Sequence, residues 1–143
     1  MQLTNKMKLI FPSKSENESF ARSVISCFSL KLNPSLSQLS DIKTAVSEAV
    51  TNSIVHAYKD ELGEIIMDAE IVDNELHINI IDYGTGIEDL SQALEPFYTT
   101  KPDEERSGMG FTIMQSFMDK VKVESEKGKG TKVYMTKIIK QEE

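Results

Sequence analysis

The sequence predicts an α/β (α+β) two-layer sandwich: a mixed, mostly antiparallel sheet with helices packed on one face. Two long runs carry apolar residues at helical spacing behind capping signals, and four short runs further on are rich in β-branched residues. Together with an opening strand and a third helix they read β-α-α-β-β-α-β-β. The 143 residues, 39% hydrophobic and 27% charged, suit one domain over residues 1–143 with a single core.

The elements follow in order. Met7 to Phe11 alternates as a strand and stops at Pro12. Ser15 with Glu18 gives a capping-box pattern, and Phe20, Val24, Ile25, Phe28 and Leu32 mark a helix from Glu16 to Leu32. Asn33-Pro34 breaks it, and Ser35 with Gln38 repeats the capping pattern for a helix reaching Tyr58. Beyond Gly63, E-I-I-M-D-A-E-I-V and E-L-H-I-N-I-I-D are strands around an Asp73-Asn74 turn. Phe111, Ile113, Met114, Phe117 and Met118 predict a third helix. V-K-V-E-S and T-K-V-Y-M-T-K-I-I, joined by Lys127-Gly-Lys-Gly130, complete the sheet.

Composition excludes several classes. A net charge of −7 argues against a broad basic face for nucleic acid. A lone cysteine, Cys27, permits neither an intrachain disulfide nor a thiolate cluster. No apolar run approaches the roughly 20 residues that span a bilayer, and the opening residues lack a signal-peptide h-region. A cytoplasmic protein without membrane contact is expected.

Chemistry enters with S-E-A-V-T-N-S-I-V-H-A-Y, where Glu48, Asn52 and His56 recur at steps of four. Such residues form a narrow ridge beside the apolar stripe of Ile42, Val46, Ala49, Ser53 and Ala57. The pattern alone fits a solvated helix edge with weak i,i+4 contacts. By itself it favours that reading over a pocket wall, where an amide oxygen could ligate Mg²⁺ and a carboxylate one turn earlier could take a proton from a nucleophile. His56 reads as a packing or hydrogen-bonding residue.

Two glycine loops lie downstream. D-Y-G-T-G, from Asp82 through Gly84 to Gly86, follows a strand and allows close backbone approach to a ligand, or simply a turn. Asp89 stands where a dinucleotide fingerprint needs its third glycine. R-S-G-M-G-F places Gly108 and Gly110 at a helix start, where free N–H groups meet phosphate or glycine merely assists the turn. The polar residues between them, including Thr99, Thr100, Lys101 and Pro102, suit a lid over an anion.

In this order E-A-V-T-N, D-Y-G-T-G and G-M-G-F resemble the N-box and glycine boxes of the GHKL (Bergerat) ATP-binding superfamily. N-E-S-F-A-R and F-Y-T-T-K-P-D-E-E-R-S-G-M-G-F-T-I-M resemble, within it, the anti-sigma-factor serine kinases of endospore-forming bacteria, the sporulation sigma-F branch more than the general-stress branch. The resemblance spans nearly the whole chain. It implies ATP or ADP with Mg²⁺ as cofactors, Asn52 as the metal ligand and Glu48 as general base. It implies that Asp82 accepts the adenine amino group, with Gly84 and Gly86 under the base and Thr131 at the adenine end. Gly108 and Gly110 would follow the phosphates; Thr99, Lys101, Arg106 and Ser107 would surround the nucleotide from the lid. Lys101 and Arg106 would be the γ-phosphate cations, Arg106 with a catalytic role.

Arg22 projects away from the apolar stripe of the first helix, as a solvated arginine would; the resemblance makes it a contact for protein partners. Those partners would be a sigma factor and its anti-anti-sigma antagonist, met by a homodimer. An ATP-gated binding module and a GHKL ATPase are the alternatives. Tyr83 departs from the smaller or polar residue usual in relatives.

Overall fold

The computed structural model describes residues 3–58, 61–87 and 110–140. Strand β1 (Leu3–Pro12) leads into helix α1 (Glu16–Ser29), a short 3-10 turn (Leu30–Leu32) and helix α2 (Leu36–Asn52). A π-helical segment, Ser53–Ala57, extends α2. Strands β2 (Glu64–Val72) and β3 (Glu75–Asp82) form a hairpin, and helix α3 (Gly110–Phe117) precedes strands β4 (Lys120–Glu126) and β5 (Gly130–Ile138). The element order and the sandwich are those the sequence predicts.

The sheet order is β1-β2-β3-β5-β4. Where the sequence predicts a mixed sheet, every pairing among the described residues is antiparallel. Connectivity explains this. Helices α1 and α2 carry the chain out and back, so β2 begins beside the end of β1, with Pro12 opposite Glu64. The other sequential neighbours are hairpins, which can only be antiparallel. At the first hairpin Asp73 takes φ 53, a left-handed conformation that Asp tolerates better than most residues.

Alternation along the strands sets the two faces. Met67, Ile71, Leu76, Ile78, Ile80 and Met135 point inward and are essentially sealed from water. Against them α2 buries Ile42, Ala45, Val46, Ala49 and Val50, and α3 buries Phe111 and Met114. The opposite face carries polar cross-strand rows, among them Asn79, whose Nδ2 donates to Asp68 Oδ1 at 2.8 Å.

Three local readings change. The capping box forms at Ser35 and Gln38 but not at Ser15 and Glu18. There the Glu18 carboxylate is taken by Arg22 and by the Ser47 hydroxyl of α2, so it cannot reach back to its own helix start. Phe20 is 48% exposed, because the buried stripe of α1 runs through Ala21, Ile25 and Ser29. The predicted helix to Tyr58 loses α geometry after Asn52, with consequences for the site.

Lys137 ties the layers together. Its Nζ donates to Asp41 Oδ2 on α2 at 3.1 Å and to the Phe117 carbonyl at the end of α3 at 2.6 Å. With only 13% of the lysine side chain exposed, truncation strands a carboxylate and a helix-end carbonyl. Lys137→Ala should lower unfolding free energy by about 2 kcal/mol in urea titration; a change within about 0.5 kcal/mol would show the link to be a surface pair.

Candidate functional site

The site grows from the end of β3. Asp82 is 4% exposed and points to the helical face of the sheet. Its Oδ1 accepts the backbone N–H groups of Gly84 at 3.1 Å and Thr131 at 3.2 Å. Its Oδ2 accepts the Ser53 hydroxyl at 2.7 Å. A carboxylate offers about four acceptor positions, so one remains on Oδ2. Burial pushes the carboxyl above its usual range, against the Ser53, Gly84 and Thr131 hydrogen bonds that favour the charge.

Ser53, 5% exposed, is the first residue of the π segment, and its N–H still bonds back to the carbonyls of Ala49 and Val50 in α2. The carbonyls at the far end of the segment, where the helix stops, bind the loop after β3. The Ala57 carbonyl accepts Thr85 N–H at 3.0 Å, and the His56 carbonyl accepts the Thr85 hydroxyl at 3.2 Å. The D-Y-G-T-G loop is therefore hung from the end of α2. A Cβ on Gly84 would lie 2.3 Å from the Ala57 oxygen. On the other side, Gly86 (φ 74) and Gly130 (φ 105) adopt backbone that suits glycine, and a Cβ there would lie 2.1 Å from the carbonyl oxygens of Glu126 and Asp82 respectively. Ser125 Oγ closes the rim, accepting from Ile87 N–H at 2.7 Å and lying 2.7 Å from Thr131 Oγ1.

The ridge on α2 behaves as a wall. Ile42, Val46, Ala49, Ser53 and Ala57 are buried, whereas Glu48, Asn52 and His56 are half-buried beside them. Asn52 is the last residue of α2, adjacent in sequence to Ser53 on Asp82. Glu48, one turn earlier, opens on a groove of about 500 Å³ that Arg22, Lys43 and Ser47 also line. Arg22 and Glu48 thus share one surface, and Arg22 is held by Glu18 at 3.3 Å.

Of the residues singled out by sequence, the structure gathers Gly84, Gly86 and Thr131 around the buried Asp82 carboxylate, and Asn52 adjoins in sequence the Ser53 that bonds it. Gly110 opens α3, which packs on α2. Thr99, Lys101, Arg106, Ser107 and Gly108 lie outside the described residues. Sequence reasoning placed Ser53 in the core stripe and passed over Ser125, Gly130 and Tyr58 as site residues. Ser53 had a signal, a hydroxyl among otherwise apolar members of its stripe; the others are set by long-range contacts.

One acceptor position on Oδ2 is left to receive an N–H donor. Among the described residues no group of His, Cys, Asp or Glu could hold a metal by itself. Asn52 suits a hard cation that takes its other ligands from water and phosphate.

Comparisons with known proteins show the family and the fold. Residues 11–137 match the family described as the histidine kinase-like ATPase domain. The anti-sigma F factor of Caldanaerobacter subterraneus subsp. tengcongensis is 55% identical over 139 residues, covering 97% of each chain. That of Clostridium acetobutylicum is 57% identical over 135 residues, covering 94% of each. The fold is shared with the RsbU and RsbW domains of a Mycobacterium tuberculosis protein, at TM-score 0.68 and 16% identity, over 95% of this chain and 32% of that one. It is shared also with the catalytic domain of the histidine kinase ThkA, at TM-score 0.59 and 17% identity, over 97% of both chains.

A raised acid pKa in the folded state makes the charged carboxylate a burden on the unliganded fold. That burden is full above the folded pKa and vanishes below the unfolded one. Asp82→Asn should therefore be at least as stable as the parent without nucleotide at neutral pH, and its advantage should shrink as pH falls through the carboxylate range. ADP affinity should fall about 10- to 100-fold, because an amide N–H₂ now faces the incoming amino group. Calorimetry across pH, with and without ADP, checks both; a destabilised unliganded variant would contradict the burial account. The family match over residues 11–137 and relatives more than 50% identical over nearly the full chain place this protein in the histidine kinase-like ATPase domain family, among the anti-sigma F factors.

Proposed function

We propose that the chain binds and inhibits the sporulation sigma-F factor and, as a serine kinase, phosphorylates an anti-anti-sigma antagonist using Mg-ATP. The observation that carries the nucleotide half is the buried Asp82 carboxylate, three of whose acceptor positions are already engaged by the protein. The partner half rests on the naming of relatives more than 50% identical over nearly the full chain as anti-sigma F factors.

Bound Mg-ATP supplies the γ-phosphoryl group and the cation that neutralises it. The rest falls to this chain. Asp82 fixes the base edge from beneath α2, and the Asn52 amide oxygen is the cation's protein ligand. Glu48 faces the groove and would accept the proton of the serine hydroxyl as its oxygen bonds to the γ-phosphorus, the bond from that phosphorus to the bridging oxygen breaks and ADP leaves with that oxygen. Arg22, on the rim of that groove, meets the protein partner; Arg is well suited to such anchoring. Lys101 and Arg106 complete the proposal as cations for the γ-phosphate, with Thr99, Ser107, Gly108 and Gly110 along the nucleotide. Because one face serves sigma factor and antagonist, nucleotide state selects the partner only through differential affinity. A homodimer in the cytoplasm belongs to the same reading; no helix among the described residues is long and apolar enough to cross a membrane.

Incubation with radiolabelled ATP and the antagonist tests the enzyme. Phosphoserine is expected on the antagonist; its absence would leave an ATP-gated binding module. Pull-downs of sigma factor should be stronger with ATP than with ADP. Asn52→Ala should reduce phosphorylation on the order of 100-fold with Tm nearly unchanged, and unaltered turnover would remove its metal role. Glu48→Gln should cut turnover by about 10²- to 10⁴-fold while ADP binding stays within a few-fold. Equal loss of both would make the glutamate structural.

A further inference from the structure

Tyr58 follows the π segment and has no role in the account above. Its hydroxyl donates to the Glu64 carbonyl at 2.6 Å and accepts the Tyr83 N–H at 2.7 Å. The register of the β2–β3 hairpin gives this pair of contacts its meaning. Ile65 stands opposite Asp82, so the next pair outward is Glu64 with Tyr83. The phenol oxygen occupies the place of a direct ladder bond between those two residues. It keeps both backbone groups satisfied while holding the strands apart, and β3 leaves the sheet immediately after Asp82.

The ring has a prepared seat. Gly63 passes so close that a Cβ there would lie 2.1 Å from Tyr58 Cε1. Gly63 is itself fixed from both sides by Ser13, whose hydroxyl accepts its N–H at 2.9 Å and whose N–H donates to its carbonyl at 2.9 Å. Burial, then the nearby Asp82 and Glu64, hold the phenol above its usual pKa despite the Tyr83 N–H, so the hydroxyl keeps the proton it donates. The Tyr83 amide adjoins Asp82, and the next amide, Gly84 N–H, bonds Asp82 Oδ1. Rotation of that turn swings the carboxylate whose Oδ2 retains one open acceptor position.

We propose that Tyr58 is a positioning residue for base selection: by bridging the ends of β2 and β3 it fixes the direction of the Asp82 acceptor, and so the preference for a purine bearing a 6-amino group over one bearing a 6-oxo group. An amino group donates to that acceptor, whereas a carbonyl oxygen is repelled by it. The inference rests on the base-reading role given to Asp82.

The test compares ADP with inosine diphosphate, which differ at that substituent, by displacement of a fluorescent ADP analogue from the full chain. Tyr58→Phe keeps the ring and removes the bridge. Its ADP affinity should fall about tenfold, with inosine diphosphate changed less than about twofold, so the discrimination ratio falls about tenfold. Gly63→Ala, which retains the hydroxyl but displaces the ring, should lower the same ratio. An unchanged ratio in both variants overturns the inference whatever happens to Tm, since a merely structural tyrosine would weaken both ligands alike. A parent protein that takes the two nucleotides equally overturns the reading of Asp82 itself, and this inference with it.

Discussion

A buried carboxylate organises this molecule. Asp82 sits at the end of β3 with almost no contact with water, and its hydrogen bonds come from the start of the π segment, the glycine loop and the start of β5. An unpaired buried charge would be intolerable, so each donor must be where it is. The donors come from three parts of the chain, including β5, which lies next to β3 although α3 and β4 intervene in the chain. The arrangement is a compromise: the hydrogen bonds offset burial only in part.

The packing around Asp82 is correspondingly close. Gly84, Gly86 and Gly130 each sit where a methyl group would strike a carbonyl. The loop is thereby pressed between the end of α2 and the β4–β5 turn, where Gly128 N–H donates to the Thr85 carbonyl at 2.7 Å. Rigidity of this kind favours a ligand that fits without rearrangement, because little ordering entropy is then lost on binding.

How much of this could be read from the residues depended on whether the governing contact was local. Strand alternation and helical spacing are short-range, so the layers, the Asp73-Asn74 turn and the buried stripe of α2 were legible. Asp82, Gly84 and Gly86 were legible as a loop after a strand, and Asn52 and Glu48 as a ridge next to the core. The capping box at Ser15 was misread because Ser47, a distant residue, captures Glu18. Phe20 was misread because every second or third apolar residue fits a helical stripe until the packing of α2 chooses among them. Tyr58 gave no sign: its role exists only once the β2–β3 register is known.

The position of β5 has a consequence for how the molecule comes into being. It is the last described strand in the chain, yet it lies inside the sheet and supplies the Thr131 amide and the Lys137 ammonium. The pairing of β3 with β5 joins residues roughly fifty apart, with Asp82 opposite Thr131, and closing so long a loop is entropically costly and slow. During synthesis the pocket therefore lacks a wall until that strand has emerged and docked. Nucleotide captured by the chain then marks completed molecules and draws the folding equilibrium toward them.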